Sequence, residues 1–311
     1  MGFNRDLRKV HQKAEGTSEM IDPISFKSDM LWQLRRSLRE WSFKELLTPV
    51  VRQGDDRTGL RATVELGGSK YLRSMIGPAL RYNLQFHPRV FEIGPCFRTD
   101  DPDRTHSQEF AMLDLYVADE SYGFLFSLAE HLVRPFFDGE FTRLSIAECL
   151  RDTFGVDLVH APVGASSEKI AEAVGLSKAA PLPEVFNKFI ESELEPLSVG
   201  KAVFLYDFPL GGNEPCAKLQ DGAVAILNRF ELIIDGIEVV HGYEDETDGQ
   251  AFVERAEQIG LYNVEQDIIQ QEIAQGRVPA RSVGLGIGIE RLCMAATGIK
   301  DISVFRQSPS Y

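Results

Sequence analysis

The sequence lacks several features that would assign it to a specialised class of protein. Its four cysteines (Cys96, Cys149, Cys216 and Cys293) lie far apart and include no Cys-x-x-Cys pair, which argues against a zinc site or a disulfide framework. No apolar run approaches the roughly 18 residues of a membrane helix, and residues 1–20 are polar rather than signal-like. We therefore expect a cytoplasmic protein that does not enter the membrane.

Positive charge is also scarce, because 33 lysines and arginines face 47 aspartates and glutamates and leave a formal net charge of -14. Binding a long stretch of nucleic acid depends on cationic side chains that displace counterions from phosphates. Extensive contact with tRNA is therefore not expected, although a local basic patch would still permit a limited contact.

The domain organisation is expected to be simple, because repeats, low-complexity stretches and a convincing interdomain linker are absent. We predict a tail or short helix at residues 1–24, a single domain at 25–311 and a polar helical insertion at about 160–200. The predicted fold class is α+β, with a mainly antiparallel sheet flanked by helices.

Apolar periodicity predicts the main helices and strands. The predicted helices cover 26–41, 122–137, 146–154 and 291–297. The predicted strands cover 46–51, 89–93, 109–117, 202–206, 229–234, 237–240 and 283–289. Because a proline removes a hydrogen-bond donor, we place the strand that contains Pro49 at a sheet edge or interface and expect Gly94-Pro95 to break the second strand.

Three segments, 91–116, 229–245 and 284–292, contain the charged residues of a candidate site. In this order they resemble the signatures of class II aminoacyl-tRNA synthetases, in the branch that contains lysyl-tRNA synthetase. Segment 38–49 resembles the first motif of that class, which builds a dimer interface, so a homodimer is implied. The resemblance covers about residues 25–311 and implies a ligase that activates an amino acid as its adenylate, using ATP and Mg2+.

The implied reaction needs charge neutralisation, because a carboxylate attacks the α-phosphate of ATP. By resemblance, Arg98 offers its planar fork to that phosphate and to the substrate carboxylate. Phe110 would stack under the adenine and Arg291 would cover its other face. Glu231 and Glu238 correspond to carboxylates that hold Mg2+, which needs few protein ligands when phosphate oxygens are present. Arg98 and Arg291 are the implied catalytic residues.

The implied ATP site is larger than these residues. Arg104 and His106 lie in the hairpin loop that contacts the outer phosphates in the family, and glycines 284, 286 and 288 would let the nucleotide approach the strand backbone. The complete set implied for ATP is Arg98, Asp100, Arg104, His106, Phe110, Glu231, Glu238, Gly288 and Arg291. Taken singly, each residue has a simpler explanation, such as tight packing or a salt bridge, so the interpretation depends on their conjunction.

A second set is implied around the amino acid, namely Ala79, Asp114, Tyr116, His241, Tyr243 and Asp245. Lysyl enzymes have glutamates where Asp114 and Asp245 stand, and two converging carboxylates attract a cation, which favours a lysine-like substrate. Ala79 replaces a glutamate that contacts the α-amino group in lysyl enzymes, and His241 stands where asparagine is usual. A β-amino acid or a modified lysine therefore remains open.

The acceptor is expected to be a protein. Only about 20 residues precede the catalytic region, too few for the anticodon-binding barrel of lysyl enzymes. The architecture is similar to the stand-alone ligases of this branch that modify a lysine of elongation factor P and prefer (R)-β-lysine. The open alternatives are a paralogue that loads a carrier protein or small molecule, a truncated tRNA synthetase, an ammonia-using amide synthetase and a non-catalytic regulatory paralogue.

Overall fold

The computed structural model describes residues 21–54, 63–164, 166–211, 217–258 and 262–306. The predicted N-terminal tail lies mostly outside these residues. The α-helices are α1 (Pro23–Glu40), α2 (Gly77–Asn83), α3 (Tyr122–Val133), α4 (Ile146–Phe154), α5 (Ser166–Ala173), α6 (Leu182–Phe189), α7 (Gly249–Gln258), α8 (Val264–Ala274) and α9 (Ile289–Thr297). None of these helices combines the length and apolar composition that crossing a membrane requires.

The strands form one large sheet and one small sheet. They are β1 (Lys44–Glu45), β2 (Val51–Gln53), β3 (Val64–Gly67), β4 (Lys70–Leu72), β5 (Arg89–Phe97), β6 (Glu109–Ala118), β7 (Phe141–Ser145), β8 (Ala202–Pro209), β9 (Ile226–Ile234), β10 (Ile237–Glu244) and β11 (Ser282–Gly288). The large sheet has the order β1-β5-β6-β11-β10-β9-β8-β7, and the small sheet has the order β2-β4-β3. In the large sheet only the two edge pairs, β1–β5 and β7–β8, are parallel. The prediction of a mainly antiparallel α+β fold is confirmed.

Side-chain alternation gives the large sheet two different faces, because successive residues of a strand point to opposite sides. On β6, Leu113 and Leu115 are fully buried in the main core, which also contains side chains of α1, α3 and α9. The intervening Asp114 and Tyr116 line a cleft on the opposite face. Helices α1, α3 and α9 thus support one face of the sheet, and the other face forms the site.

Helix α1 begins earlier than predicted, because its start is capped. The carboxylate of Asp22 accepts a hydrogen bond from the amide of Ile24 at 3.0 Å, and Pro23 occupies the first turn, where its missing N–H costs nothing. Met30, Leu34 and Leu38 follow at four-residue spacing and are fully buried.

The two proline-containing strands differ from their predictions. The predicted strand at 46–51 is wrong, because β1 ends at Glu45 and β2 begins only at Val51. The predicted break at Gly94-Pro95 is also wrong, since β5 continues to Phe97. On its outer side, β5 pairs with β1 only at Val90 and Phe91, so Pro95 lies at an open edge where its missing N–H breaks no bond between strands.

Candidate active site

A cleft of about 780 Å³ lies on the open face of the large sheet. Strands β6, β10 and β11 form its floor. Its walls come from α2, the β5–β6 hairpin, the residues around the start of α8 and the helical insertion.

The register of the strands arranges the floor in rows. Gly286 of β11 lies between Asp114 of β6 and His241 of β10, and His241 is paired in turn with Glu231 of β9. One row further, Gly284 lies between two tyrosines, Tyr116 and Tyr243, whose hydroxyls are 2.8 Å apart. Residues that are far apart in sequence thereby become neighbours.

A β-bulge in β10 places Glu238 and His241 in the same cleft. The two residues are three positions apart and would face opposite sides of a regular strand. The pairing with β9 shifts between Glu238 and Val240, which inserts one extra residue and returns His241 to the side of Glu238. Both residues line the cleft.

Most residues predicted for the site line this single cleft. They are Arg98, Asp100, His106, Phe110, Asp114, Tyr116, Glu231, Glu238, His241, Tyr243, Asp245, Gly288 and Arg291. The other two predicted residues, Ala79 and Arg104, are not among the residues that line it. Gly77, Pro78 and Arg81 of α2 line the cleft. Ala79 lies on the other side of the same helix, because each residue of an α-helix is rotated by about 100° from the one before it. Arg104 is exposed at the hairpin tip.

The glycines of β11 line the cleft, and two of them also lie against side chains of β6. A Cβ on Gly284 would lie 2.8 Å from the ring of Tyr116, and one on Gly286 would lie 2.6 Å from Oδ1 of Asp114. These two glycines therefore make room for side chains of β6. From the sequence we predict only that they let the nucleotide approach the strand backbone. A Cβ on Gly288 would make only ordinary contacts with Arg291.

The variant Gly284→Ala is expected to lose about 1–3 kcal/mol of unfolding free energy, because the added methyl group overpacks the site against Tyr116. Gly288→Ala is the matched control in the same strand and should change the unfolding free energy by less than about 0.5 kcal/mol. Urea denaturation followed by circular dichroism measures both values. Equal stabilities of the two variants would show that Tyr116 moves aside without cost.

Arg98 lines the cleft. Its guanidinium carbon is 5.1 Å from the centroid of the Phe110 ring, and its backbone amide donates to the carbonyl oxygen of Gln108 across the hairpin. Burial raises the pKa of Asp114 and the charge of Arg98 opposes that rise; at Glu238, Arg98 adds to the larger effect of Arg291, which lowers the pKa. The arginine therefore lies within electrostatic reach of two separate groups of acidic residues.

Arg291 is held by hydrogen bonds along the edge of its guanidinium group. Its Nε donates to the carbonyl oxygen of Thr105 at 3.3 Å, Nη1 to Glu238 at 3.2 Å, and Nη2 to Nε2 of His106 at 2.9 Å. Because arginine can only donate, Nε2 of His106 accepts, and Nδ1 carries the proton that it donates to Asp103. These bonds fix the plane of the guanidinium without using its faces.

Three side chains form a donor set suited to a divalent cation. One ligand atom from each of Glu231, Glu238 and His241 lies within 4.8 Å of the other two. Burial raises the pKa of Glu238, but the charges of Arg291, His241 and Arg229 outweigh this effect and hold the pKa below its usual value. The two carboxylates therefore supply the anionic oxygens that Mg2+ prefers, and His241 adds a nitrogen donor.

Asp245, one of the two predicted substrate-binding aspartates, lines the cleft and also has partners within the protein. Its Oδ1 lies 3.3 Å from Nη1 of Arg81, and its Oδ2 accepts a hydrogen bond from Ser282. Asp245 is only 1% exposed. Both oxygens of Asp245 are thus engaged within the protein, and burial raises the pKa of its carboxyl group despite the charge of Arg81.

Asp114 is held by the backbone at the start of α2. Its Oδ2 accepts a hydrogen bond from the amide of Ile76 at 3.0 Å. Burial raises the pKa of Asp114 to about 6, although the amides of Ile76 and Gly77 and the charge of Arg98 act in the opposite direction. The folded state thus favours the protonated carboxyl group.

The variant Asp114→Asn should alter how stability depends on pH. Between about pH 4 and pH 6 the folded wild type binds more protons at this site than the unfolded chain, so its contribution to stability is present at low pH and is lost as pH rises through about 6. A gap of about two pH units corresponds to about 3 kcal/mol. The unfolding free energy of wild type minus that of the variant should fall by up to this amount from pH 4 to pH 7. A constant difference would contradict it.

Several cleft residues were not predicted from the sequence. Arg81 and Arg229 are single arginines in a helix and a strand, and only their partners in the fold reveal their positions. The insertion contributes Glu191 and Glu195 from the segment 190–198, which begins with a π-helical turn of the kind often found at functional sites. Burial, reinforced by the charges of Glu191 and Glu238, raises the pKa of Glu195 to about 6.

Comparisons with known proteins agree with this geometry. The sequence model of the tRNA synthetases class II (D, K and N) family matches residues 4–309. A lysine–tRNA ligase 2 of Methanosarcina mazei is 28% identical over 93% of this chain, and a lysine–tRNA ligase of Enterococcus faecalis is 26% identical over 92%. The chain covers 63% and 64% of the lengths of these two relatives. The chain belongs to the class II tRNA synthetase family (D, K and N).

Proposed function

We propose that the protein activates an amino acid with ATP and forms an aminoacyl-adenylate. One observation carries the proposal: the cation donor set of Glu231, Glu238 and His241 lies in the same cleft as Arg98 and Arg291. Guanidinium groups and a divalent cation together neutralise a polyphosphate. The curated relatives named as lysine–tRNA ligases support the same class of reaction.

In the proposed step, an oxygen of the substrate carboxylate forms a bond to the α-phosphorus of ATP, and the bond from that phosphorus to pyrophosphate breaks. Arg98 stabilises the charge that develops on the phosphoryl oxygens. The face of Arg291, whose edge is fixed by Glu238 and His106, supports the adenine. Mg2+ held by Glu231 and Glu238 would neutralise the outgoing pyrophosphate when bound.

We further propose that the acceptor of the activated group is a protein amine, as in the modification of elongation factor P, or a carrier protein. The net charge of -14 supports this choice over an acceptor that needs a long electrostatic contact. The names of the relatives favour tRNA as the second candidate. Incubation of the activated complex with total tRNA and with purified elongation factor P separates the two, since only the true acceptor becomes stably aminoacylated.

Exchange of labelled pyrophosphate into ATP tests the activation step. A panel of amino acids should contain lysine, β-lysine, modified lysines and neutral analogues, each with and without Mg2+. At least one amino acid should drive exchange that requires Mg2+. ATP binding without exchange for every amino acid would instead indicate a regulatory protein that binds nucleotide.

We also propose a homodimer that covers the apolar surface beside β1. Leu47 is 92% exposed and Trp32 is 72% exposed, an unusual solvent exposure for large apolar side chains. Sedimentation velocity should give twice the chain mass. A monomer at all concentrations would contradict the proposal.

A further inference from the structure

One end of the cleft is formed by Asp245, Tyr116 and Tyr243, and we call it the amino-acid end because the family resemblance assigns these residues to the amino acid. It contains the positively charged side chain of Arg81. Arg81 of α2 is 2% exposed and forms an ion pair with Asp245, whose other oxygen accepts from Ser282. The guanidinium of Arg81 also lies 5.6 Å from the centroid of the Phe252 ring. Both partners are therefore fixed, and both oxygens of Asp245 are engaged.

Glu265 and Asp114 nearby have partners within the protein as well, although burial raises the pKa of Asp114. Glu265 lies 2.9 Å from Nη1 of Arg52, and Asp114 accepts the amide of Ile76 within reach of the charge of Arg98. An ammonium group that enters this part of the cleft loses its hydration and finds Asp245 and Glu265 already paired with arginines. That exchange is unfavourable, because a desolvated charge needs a partner of opposite sign.

Neutral polar side chains also line the cleft at this end. The hydroxyls of Tyr116 and Tyr243 meet above Gly284, 2.8 Å apart, and both side chains line the cleft. Gln266 also lines it. Hydroxyl and amide groups can both donate and accept hydrogen bonds, so they match a substrate end that is polar and uncharged.

We propose that the pocket selects an amino acid whose side chain ends in an uncharged hydrogen-bonding group, and that Arg81 excludes an ammonium group by occupying Asp245. This inference rests on the proposed adenylate-forming function and specifies its substrate class. It departs from the lysine specificity in the names of the relatives. Arg81 acts here as a specificity-determining residue.

The test compares lysine with Nε-acetyllysine, which has the same backbone but a neutral amide in place of the ammonium. In pyrophosphate exchange, the wild type should use the neutral compound at least about tenfold better than lysine. Arg81→Gln removes the internal cation and should raise lysine-driven exchange at least about tenfold. Arg81→Lys retains a positive charge and should keep the wild-type preference. Arg89→Gln, which breaks an ion pair with Glu120 outside the cleft, is the matched control and should also keep it.

Ligand binding provides a second measurement, which can be used even if Arg81→Gln is less stable than the wild type. In this variant Asp245 has lost its arginine partner, and the ammonium group of lysine can take the place of that charge. Lysine should raise the melting temperature of this variant more than Nε-acetyllysine does, and should do less for the wild type. Two results would overturn the inference. The wild type would use lysine better than Nε-acetyllysine, or Arg81→Gln would show neither faster exchange with lysine nor a larger rise in melting temperature. If the inference fails in this way but another amino acid drives pyrophosphate exchange, the proposed adenylate-forming function is still supported. Loss of exchange with every amino acid in every variant would reject the proposed function, and the melting shifts would still decide the role of Arg81.

Discussion

Replacing Arg98 with alanine is expected to lower amino-acid-dependent pyrophosphate exchange by about a hundredfold to a thousandfold, the typical cost of removing one electrostatic contact to a transition state. Arg98 lines the cleft, where its guanidinium lies over Phe110 and its charge acts on both Asp114 and Glu238. Among the other arginines of the cleft, the charge of Arg73 acts on Asp114, and those of Arg291 and Arg229 act on Glu238. The exchange rate at saturating ATP measures the effect.

Two further variants separate the charge of Arg98 from its shape. Arg98→Lys retains the charge but loses the planar fork, so it should recover only part of the activity. Arg151→Ala removes an exposed arginine of α4 and should leave the rate within about twofold of wild type. Circular dichroism should show that Arg98→Ala remains folded. Undiminished exchange in folded Arg98→Ala would remove Arg98 from the proposed mechanism.

The variant Arg73→Met is expected to cost about 3–5 kcal/mol of unfolding free energy, because it leaves Glu92 as an uncompensated buried charge. The side chains of Arg73 and Glu92 are each 1% exposed and lie 2.7 Å apart. Arg73 also donates to the carbonyl oxygen of Pro95, and Glu92 accepts the amide of Thr48. This network ties β5 to the segment between β1 and β2.

The double variant Arg73→Met/Glu92→Gln is the control for this effect. Removing the orphaned charge should restore a large part of the lost stability, since replacing both members of a buried pair is far less costly than removing one. Urea denaturation of the wild type and both variants gives the three free energies. A loss below about 1 kcal/mol in the single variant would mean that water or another cation reaches Glu92.

The fold could be predicted from the sequence because its signals are local. The four-residue spacing of Met30, Leu34 and Leu38 defines α1, and alternation defines β6. The continuation of β5 through Pro95 could not be predicted, because a proline is tolerated only where the neighbouring strand has already ended. That condition depends on the length of β1 and not on any property of the residues around Pro95.

The site could be predicted only in part, because its geometry depends on pairing between distant segments. The family resemblance identified Arg98, Glu231 and Glu238 as candidate residues, and all three line the cleft. It could not predict that His241 lies beside the two glutamates. That position requires a bulge in β10, which has no clear sequence signature. The partnership of Arg81 with Asp245 likewise arises only when α2 packs beside the end of β10.

The fate of a carboxyl oxygen tests the central claim most directly. The amino acid that drives exchange would be prepared with a heavy oxygen isotope in its carboxyl group, and the product trapped with hydroxylamine, which attacks the carbonyl carbon. If the carboxylate attacks the α-phosphorus, the bridging oxygen stays on the nucleotide, and mass spectrometry should find one heavy oxygen in the released AMP. AMP that carries no label would contradict formation of an aminoacyl-adenylate in this cleft.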